Sequence, residues 1–312
     1  GRAWREAAAA RLEVDIETLP LQQAVLKALV LGYRKEMPQE TIAKFRRTGS
    51  VHIFAISGLH VGIVGLLLML VLKTVGIPRD WLGIWLIPLL LVYVVSTGMK
   101  SSALRALAMA AVFLLAPRFR RKPDIPSSVA LAATLLLLAS PFELMSAGFV
   151  FSFTVVIFIV MVYTKVPKRW LQGPWLWSYA KSLAVTSAAA GLASVPVAAL
   201  YFGTFAPVAM LGNLVVVPLT FCIVLSGWLS ILLPVASGIF NHAAVVFINL
   251  LLISVDGMDR IPGSCWNVRP PPLIAVFLWY ASFVYLFAHA SRNRQRWAAA
   301  VCAACAIALA FL

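Results

Sequence analysis

Two hydropathy patterns divide the chain. Residues 1–50 interleave charges with apolar residues at helical spacing, as in "LQQAVLKALVLGY" and "ETIAKFRR". Such spacing predicts amphipathic helix lying on a membrane surface, largely outside any core. From residue 51 onward, long apolar runs with few charges take over, at roughly 51–72, 82–96, 102–116, 127–139, 147–163, 176–200, 207–233, 240–255, 272–290 and 297–312. A helix satisfies its own backbone in lipid, and about 20 apolar residues cross a bilayer. The runs therefore predict an all-α, polytopic transmembrane helix bundle of about 8–11 spans. The organisation expected is a membrane-surface helical segment over 1–50 and a transmembrane domain over 51–312. Several runs are short enough to be tilted or re-entrant. Pro207 and Pro218 within one long run predict a kink or a broken helix there.

Composition agrees with the pattern. The 312 residues are 62% hydrophobic and 12% charged, with a mean hydropathy of +0.93. No soluble core buries that much apolar surface, so the lipid bilayer must be the solvent. The formal charge of +15 carries topological information. If 73–81 faces the cytosol, so do 117–126, 164–175, 234–239 and 291–296; these loops hold 12 Lys/Arg against 3 in the opposite set. That bias fixes one orientation, with both chain ends outside the cytosol. The nine basic residues of 1–50 then lie on the disfavoured side. A pre-formed amphipathic segment or an exported domain ahead of it would override the bias. The chain begins as though cut from a longer one.

Chemistry-bearing signals are sparse. Cys302 and Cys305 have redox or metal spacing, but they sit in an alanine-rich apolar run, where small residues serve helix packing. No metal site, cofactor or catalytic residue is expected. No G-x-x-x-x-G-K-[ST] loop is present, so no ATPase is encoded.

The stretch "HIFAISGLHVGI", His52–Ile63, places two histidines and a serine in an apolar context. On a helical wheel with Gly58 at zero and about 100° per residue, Gly62 falls at roughly 40° and Gly65 at roughly 340°. His52, His60 and Ser57 fall at roughly 120°, 200° and 260°. One face, Gly58, Gly62 and Gly65, suits close helix packing; the other, His52, Ser57 and His60, needs polar company or water. An intramembrane serine protease and a metal site compete with this reading. The first lacks a base on another helix, and the second lacks carboxylates. Further polar residues within spans support a hydrated interior. Arg105, following Ser101 and Ser102, is expensive against lipid and cheap beside a cavity. Lys100 lies just outside that run. Asn213 and Asn249 suit interhelical hydrogen bonds, and Lys181 suits snorkelling.

The segment "ALVLGYRKEMPQETIAKFRRTGSVHIFAISGLHVGI" resembles the signature of ComEC-type competence proteins, the DNA-uptake channels of natural transformation. The shared positions are Arg47, Thr48, Gly49, His52, Ala55, Ile56, Ser57, Gly58 and His60. Further matches follow in family order: Ser102, Arg105 and Ala106; Pro141, Gly148, Phe149, Ser152 and Phe153; then Pro196, Phe202, Gly203, Asn213 and Pro218. The similarity covers about residues 25–235. It implies that 51–312 is a channel domain. Family members often add an OB-like domain before this region and a metallo-β-lactamase-like nuclease domain after it, both outside the cell.

What the resemblance implies is a multi-pass inner-membrane channel of a bacterium, with single-stranded DNA as substrate and no enzymatic activity. A cytosolic DNA motor or single-strand-binding protein would pull the strand. DNA-receptor and nuclease components would act outside, and the channel could be oligomeric. The expected path-lining residues are His52, Ser57, His60, Lys100, Arg105 and Asn213. The rival readings are a small-solute secondary transporter and a non-transporting membrane assembly subunit.

Overall fold

The computed structural model describes residues 2–122 and 124–288. Among them the chain is almost entirely helical. The helices are α1 (Arg2–Arg11), α2 (Pro20–Leu31), α3 (Gln39–Arg47), α4 (Gly58–Thr74), α5 (Arg79–Ser96), α6 (Ser101–Leu115), α7 (Ile125–Ala139), α8 (Ala147–Lys165), α9 (Lys168–Leu171), α10 (Trp175–Phe202), α11 (Val208–Leu232), α12 (Ser237–Asp259) and α13 (Leu273–Ala288). Two short strands, β1 (Thr204–Phe205) and β2 (Trp266–Asn267), pair antiparallel. Among the described residues, six stretches are long and apolar enough to cross a membrane: α5, Ser101–Phe119, α8, α10, α11 and Pro234–Asp259. The protein is an all-α, multi-pass membrane protein. Nine of the ten apolar runs correspond to helices; the run at 297–312, with Cys302 and Cys305, lies outside the described residues. Pro207 precedes α11 and Pro218 sits inside it; of the kink or break expected there, a break is absent, since α11 is continuous from Val208 to Leu232.

The chain divides into two compact units, residues 1–144 with 212–262 and residues 145–211 with 263–312. In the first, α4, α5 and α6 pack on one another and α7 packs on α6. Short connections make these neighbours antiparallel. The start of α4, the end of α5, the start of α6 and the end of α7 therefore share one end. The tightest backbone approach is at Gly83 of α5, where an added Cβ would stand 2.5 Å from the Leu114 carbonyl oxygen. Gly227 of α11 similarly lets α2 approach through Leu26 and Val30.

Residues 1–50 were expected largely outside the core, but much of this segment lies within it. Every residue of α2 from Ala24 to Leu31 is buried, and α2 packs against α12 and α1. Ion pairs also tie α3 to α12. Lys44 and Arg47 of α3 meet Asp256 and Asp259 of α12, Lys44 Nζ to Asp256 Oδ1 at 2.8 Å and Arg47 Nη2 to Asp259 Oδ2 at 2.6 Å. Lys27 of α2 is tied to Glu13 and Glu36.

In the second unit α8 packs against α10, and α13 packs against both. Pro196 interrupts the hydrogen bonding of α10, since it has no N–H for the Leu192 carbonyl. Trp279 Nε1 of α13 donates to that carbonyl at 3.2 Å, and Tyr280 Oη donates to the next, Ala193, at 2.8 Å. The defect in one helix is satisfied by its neighbour.

Candidate functional site

The segment from Arg47 to His60 is not one helix. Helix α3 ends in a Schellman motif: Ser50 N–H reaches the Phe45 carbonyl at 2.8 Å, Gly49 N–H reaches Arg46 at 3.0 Å, and Gly49 adopts φ +69°. Thr48, fully buried, returns its hydroxyl to the Lys44 carbonyl at 3.0 Å. A 3₁₀ turn follows at Val51–Phe54, then extended chain, and α4 begins only at Gly58 with Ser57 as its N-cap. His52 therefore lies off α4; it is exposed, with Nδ1 3.0 Å from the Gly49 carbonyl.

The covered side of α4 takes residues from both of the faces read on the wheel. The packed face carries His60, Val61, Ile63, Val64 and Gly65. His60 is 1% exposed. Its Nδ1 accepts from the Ser57 backbone N–H at 3.2 Å and lies 3.2 Å from Ser57 Oγ, closing a capping box over the first turn. Nδ1 as acceptor puts the ring proton on Nε2. Gly62 is exposed, with nothing within 4 Å of an added Cβ, while Gly65 meets Leu90 at 3.7 Å and Gly58 meets Ala106 at 3.8 Å. Of the three glycines, Gly58 and Gly65 thus have a neighbouring helix within van der Waals reach of an added Cβ, and Gly62 does not. His52 has no place on that wheel, because residues 52–57 are not α-helical; His60, Gly62 and Gly65 all lie within α4, whose buried side takes in His60 and Gly65 and leaves Gly62 open.

The first two motifs nonetheless meet. Ser102 Oγ of α6 donates to the Ile56 carbonyl, fixing the start of α6 beside the start of α4. Arg105, one turn further on, is 4% exposed and donates to Ser101 Oγ. Its guanidinium also lies 3.7 Å from the Glu143 carboxylate, in the 3₁₀ turn Pro141–Met145 after α7. Lys100, just before α6, is exposed. So Ser57, His60, Lys100, Arg105 and Glu143 gather at one end of the α4–α7 group, the end that the loop charges assign to the outside.

The remaining predicted residues stand apart. Asn213, in α11, is half-buried, and its Oδ1 has no hydrogen-bond partner among the described residues. Asn249 of α12 accepts from Gln22 of α2 at 2.9 Å, an interhelical bond as expected. Lys181 of α10 folds back to the Trp170 carbonyl at 2.8 Å. Sequence reasoning missed Glu143, Asp256 and Asp259. For the aspartates a signal existed: their spacing of three matches that of Lys44 and Arg47. Among the described residues no group of three or more His, Cys, Asp or Glu side chains is arranged to hold a metal ion.

Comparison with known proteins places this geometry in a family. The competence protein family model matches residues 29–293. ComE operon protein 3 of Bacillus subtilis (strain 168) is 30% identical over 278 residues, covering 86% of this chain and 34% of that protein. The uncharacterized protein YcaI of Escherichia coli (strain K12) is 32% identical over 112 residues, 33% of this chain and 15% of that one. The chain thus spans about a third or less of the length of these curated relatives. No solved structure matches it significantly. With a family model covering most of its length and the first two motifs joined at one end of α4 and α6, the chain belongs to the competence protein family.

Proposed function

We propose that the chain is the membrane path by which a single strand of DNA crosses the bacterial inner membrane during natural transformation. The observation that carries the reading is the family match over 29–293, joined to six apolar helices long enough to span a bilayer.

The physical task is large. Each nucleotide carries one negative charge, and moving a charge across the membrane potential involves about 2.3 kcal/mol per 100 mV. A channel lowers the barrier and does not supply the drive. A cytosolic motor or single-strand-binding protein pulls or traps the strand, and receptor and nuclease components deliver it from outside. Lys100, exposed before α6, meets the strand first. Arg105 is the buried cation behind it, and Glu143 occupies its guanidinium until a phosphate takes that place. In this reading the role is non-enzymatic, and the use of His60 Nδ1 as acceptor for the Ser57 backbone N–H supports a capping rather than a base role for that ring.

A deletion strain of the host tests the reading. Labelled DNA should bind at the cell surface but fail to reach the cytosol, and the reintroduced full-length gene should restore import. Undiminished import in the deletion strain would exclude the proposal.

A further inference from the structure

The unit formed by residues 145–211 and 263–312 contains no aspartate or glutamate at all. Its cations have no carboxylate of their own unit to pair with. Four of them, Lys165, Lys168, Arg169 and Lys181, lie at or beside the connection between α8 and α10, both of which are membrane spans. That connection must therefore lie at a membrane surface, on the side that the loop charges assign to the cytosol.

The same connection carries a dense set of exposed aromatics. Trp170 is 49% exposed, Trp175 79%, Trp177 63% and Tyr179 47%, with Leu176 at 67% between them. Trp175 and Tyr179 stack at 6.2 Å. The segment has a fixed shape. Pro167 and Pro174 bracket α9, and Lys181 reaches back to the Trp170 and Gln172 carbonyls with its ammonium 5.7 Å from the Trp170 ring. Lys181 is spent on this fold; Lys165, Lys168 and Arg169 are exposed.

We propose that this connection binds the headgroups of anionic phospholipids. Lys165, Lys168 and Arg169 take the phosphate oxygens, and the tryptophans sit at the boundary between headgroup and acyl chain. Amphipathic rings prefer that depth, and juxtamembrane cations are drawn to an anionic leaflet. A nucleic acid would use the same cations, but Leu176 exposed between Trp175 and Trp177 fits an acyl boundary better than a solvated strand. The proposal does not depend on the DNA-import reading.

The test uses the full-length protein in a neutral detergent. Its melting temperature is measured with added dioleoyl-phosphatidylglycerol or dioleoyl-phosphatidylcholine, for the native protein, for Lys168→Gln/Arg169→Gln and for Arg120→Gln/Arg121→Gln as a basic-loop control. Phosphatidylglycerol should raise the native melting temperature by several degrees more than phosphatidylcholine. The first variant should lose most of that difference while melting normally without lipid, and the control should keep it. Equal shifts with the two lipids, or a full shift retained by Lys168→Gln/Arg169→Gln, would overturn the proposal. So would a shift produced only by a single-stranded oligonucleotide and abolished by the same variant.

Discussion

Arg105 is held at 4% exposure between the Ser101 hydroxyl, one turn earlier on α6, and the Glu143 carboxylate, 3.7 Å away in the turn after α7. Removing either member of such a pair leaves the other short of a partner, whereas removing both together is better tolerated. Glu143→Gln should lower stability by about 1–3 kcal/mol. The double variant Arg105→Met/Glu143→Leu should lose less than the sum of Arg105→Met and Glu143→Leu. Thermal or denaturant unfolding in detergent checks this, and additive losses would break the pairing.

Two glycines give opposite expectations. An added Cβ at Gly83 stands 2.5 Å from the Leu114 carbonyl oxygen, and at Gly62 it meets nothing within 4 Å. Gly83→Ala should therefore force α5 and α6 apart, at a cost of about 1–3 kcal/mol. Gly62→Leu should fold as well as the native protein, helped by up to about 1 kcal/mol of helix propensity. Melting of both variants in one detergent decides it. A loss on Gly62→Leu alone would point to a contact between molecules.

Trp279 and Tyr280 owe part of their value to Pro196. Tyr280→Phe should cost about 0.6–1.7 kcal/mol, the range of hydrogen bonds between membrane helices. Trp279→Phe should cost a similar amount in the native background but less in Pro196→Ala, where the Leu192 carbonyl regains a helical donor. A double-mutant cycle measures the coupling; zero coupling would remove the account of α13.

Lys27 ties α2 to Glu13 and Glu36. Burial pushes the ammonium down, but the two carboxylates outweigh it and hold its pKa above the ordinary 10.5. A raised folded value means that this contribution is complete below pH 10.5 and fades as pH rises through the folded value. The melting difference between native and Lys27→Met should be constant from about pH 7 to 9 and shrink only in stronger alkali. A difference that already closes by about pH 9 would contradict the tie.

Sequence pattern carried the helices and their order, because lipid imposes long apolar runs that read directly as helix. It did not carry the burial of α2 against α12 and α1, nor the pairing of Lys44 and Arg47 of α3 with Asp256 and Asp259 more than two hundred residues away. Nor did it carry which side of α4 is covered, since that is set by where α5 and α6 pack against it. At the site, Ser57, His60, Lys100 and Arg105 were legible as polar residues in apolar surroundings. Glu143 was not, because a carboxylate in a loop looks ordinary until the fold brings Arg105 beside it.

The most direct measurement asks what touches the strand in transit. A photoreactive amino acid replaces Lys100, exposed before α6, or Val92, 66% exposed on the α5 span. Import of labelled DNA is then arrested midway and the cells are illuminated. The account predicts single-stranded DNA crosslinked to the protein from position 100 and none from position 92. Crosslinks from neither position while import proceeds, or equal crosslinks from both, would contradict it.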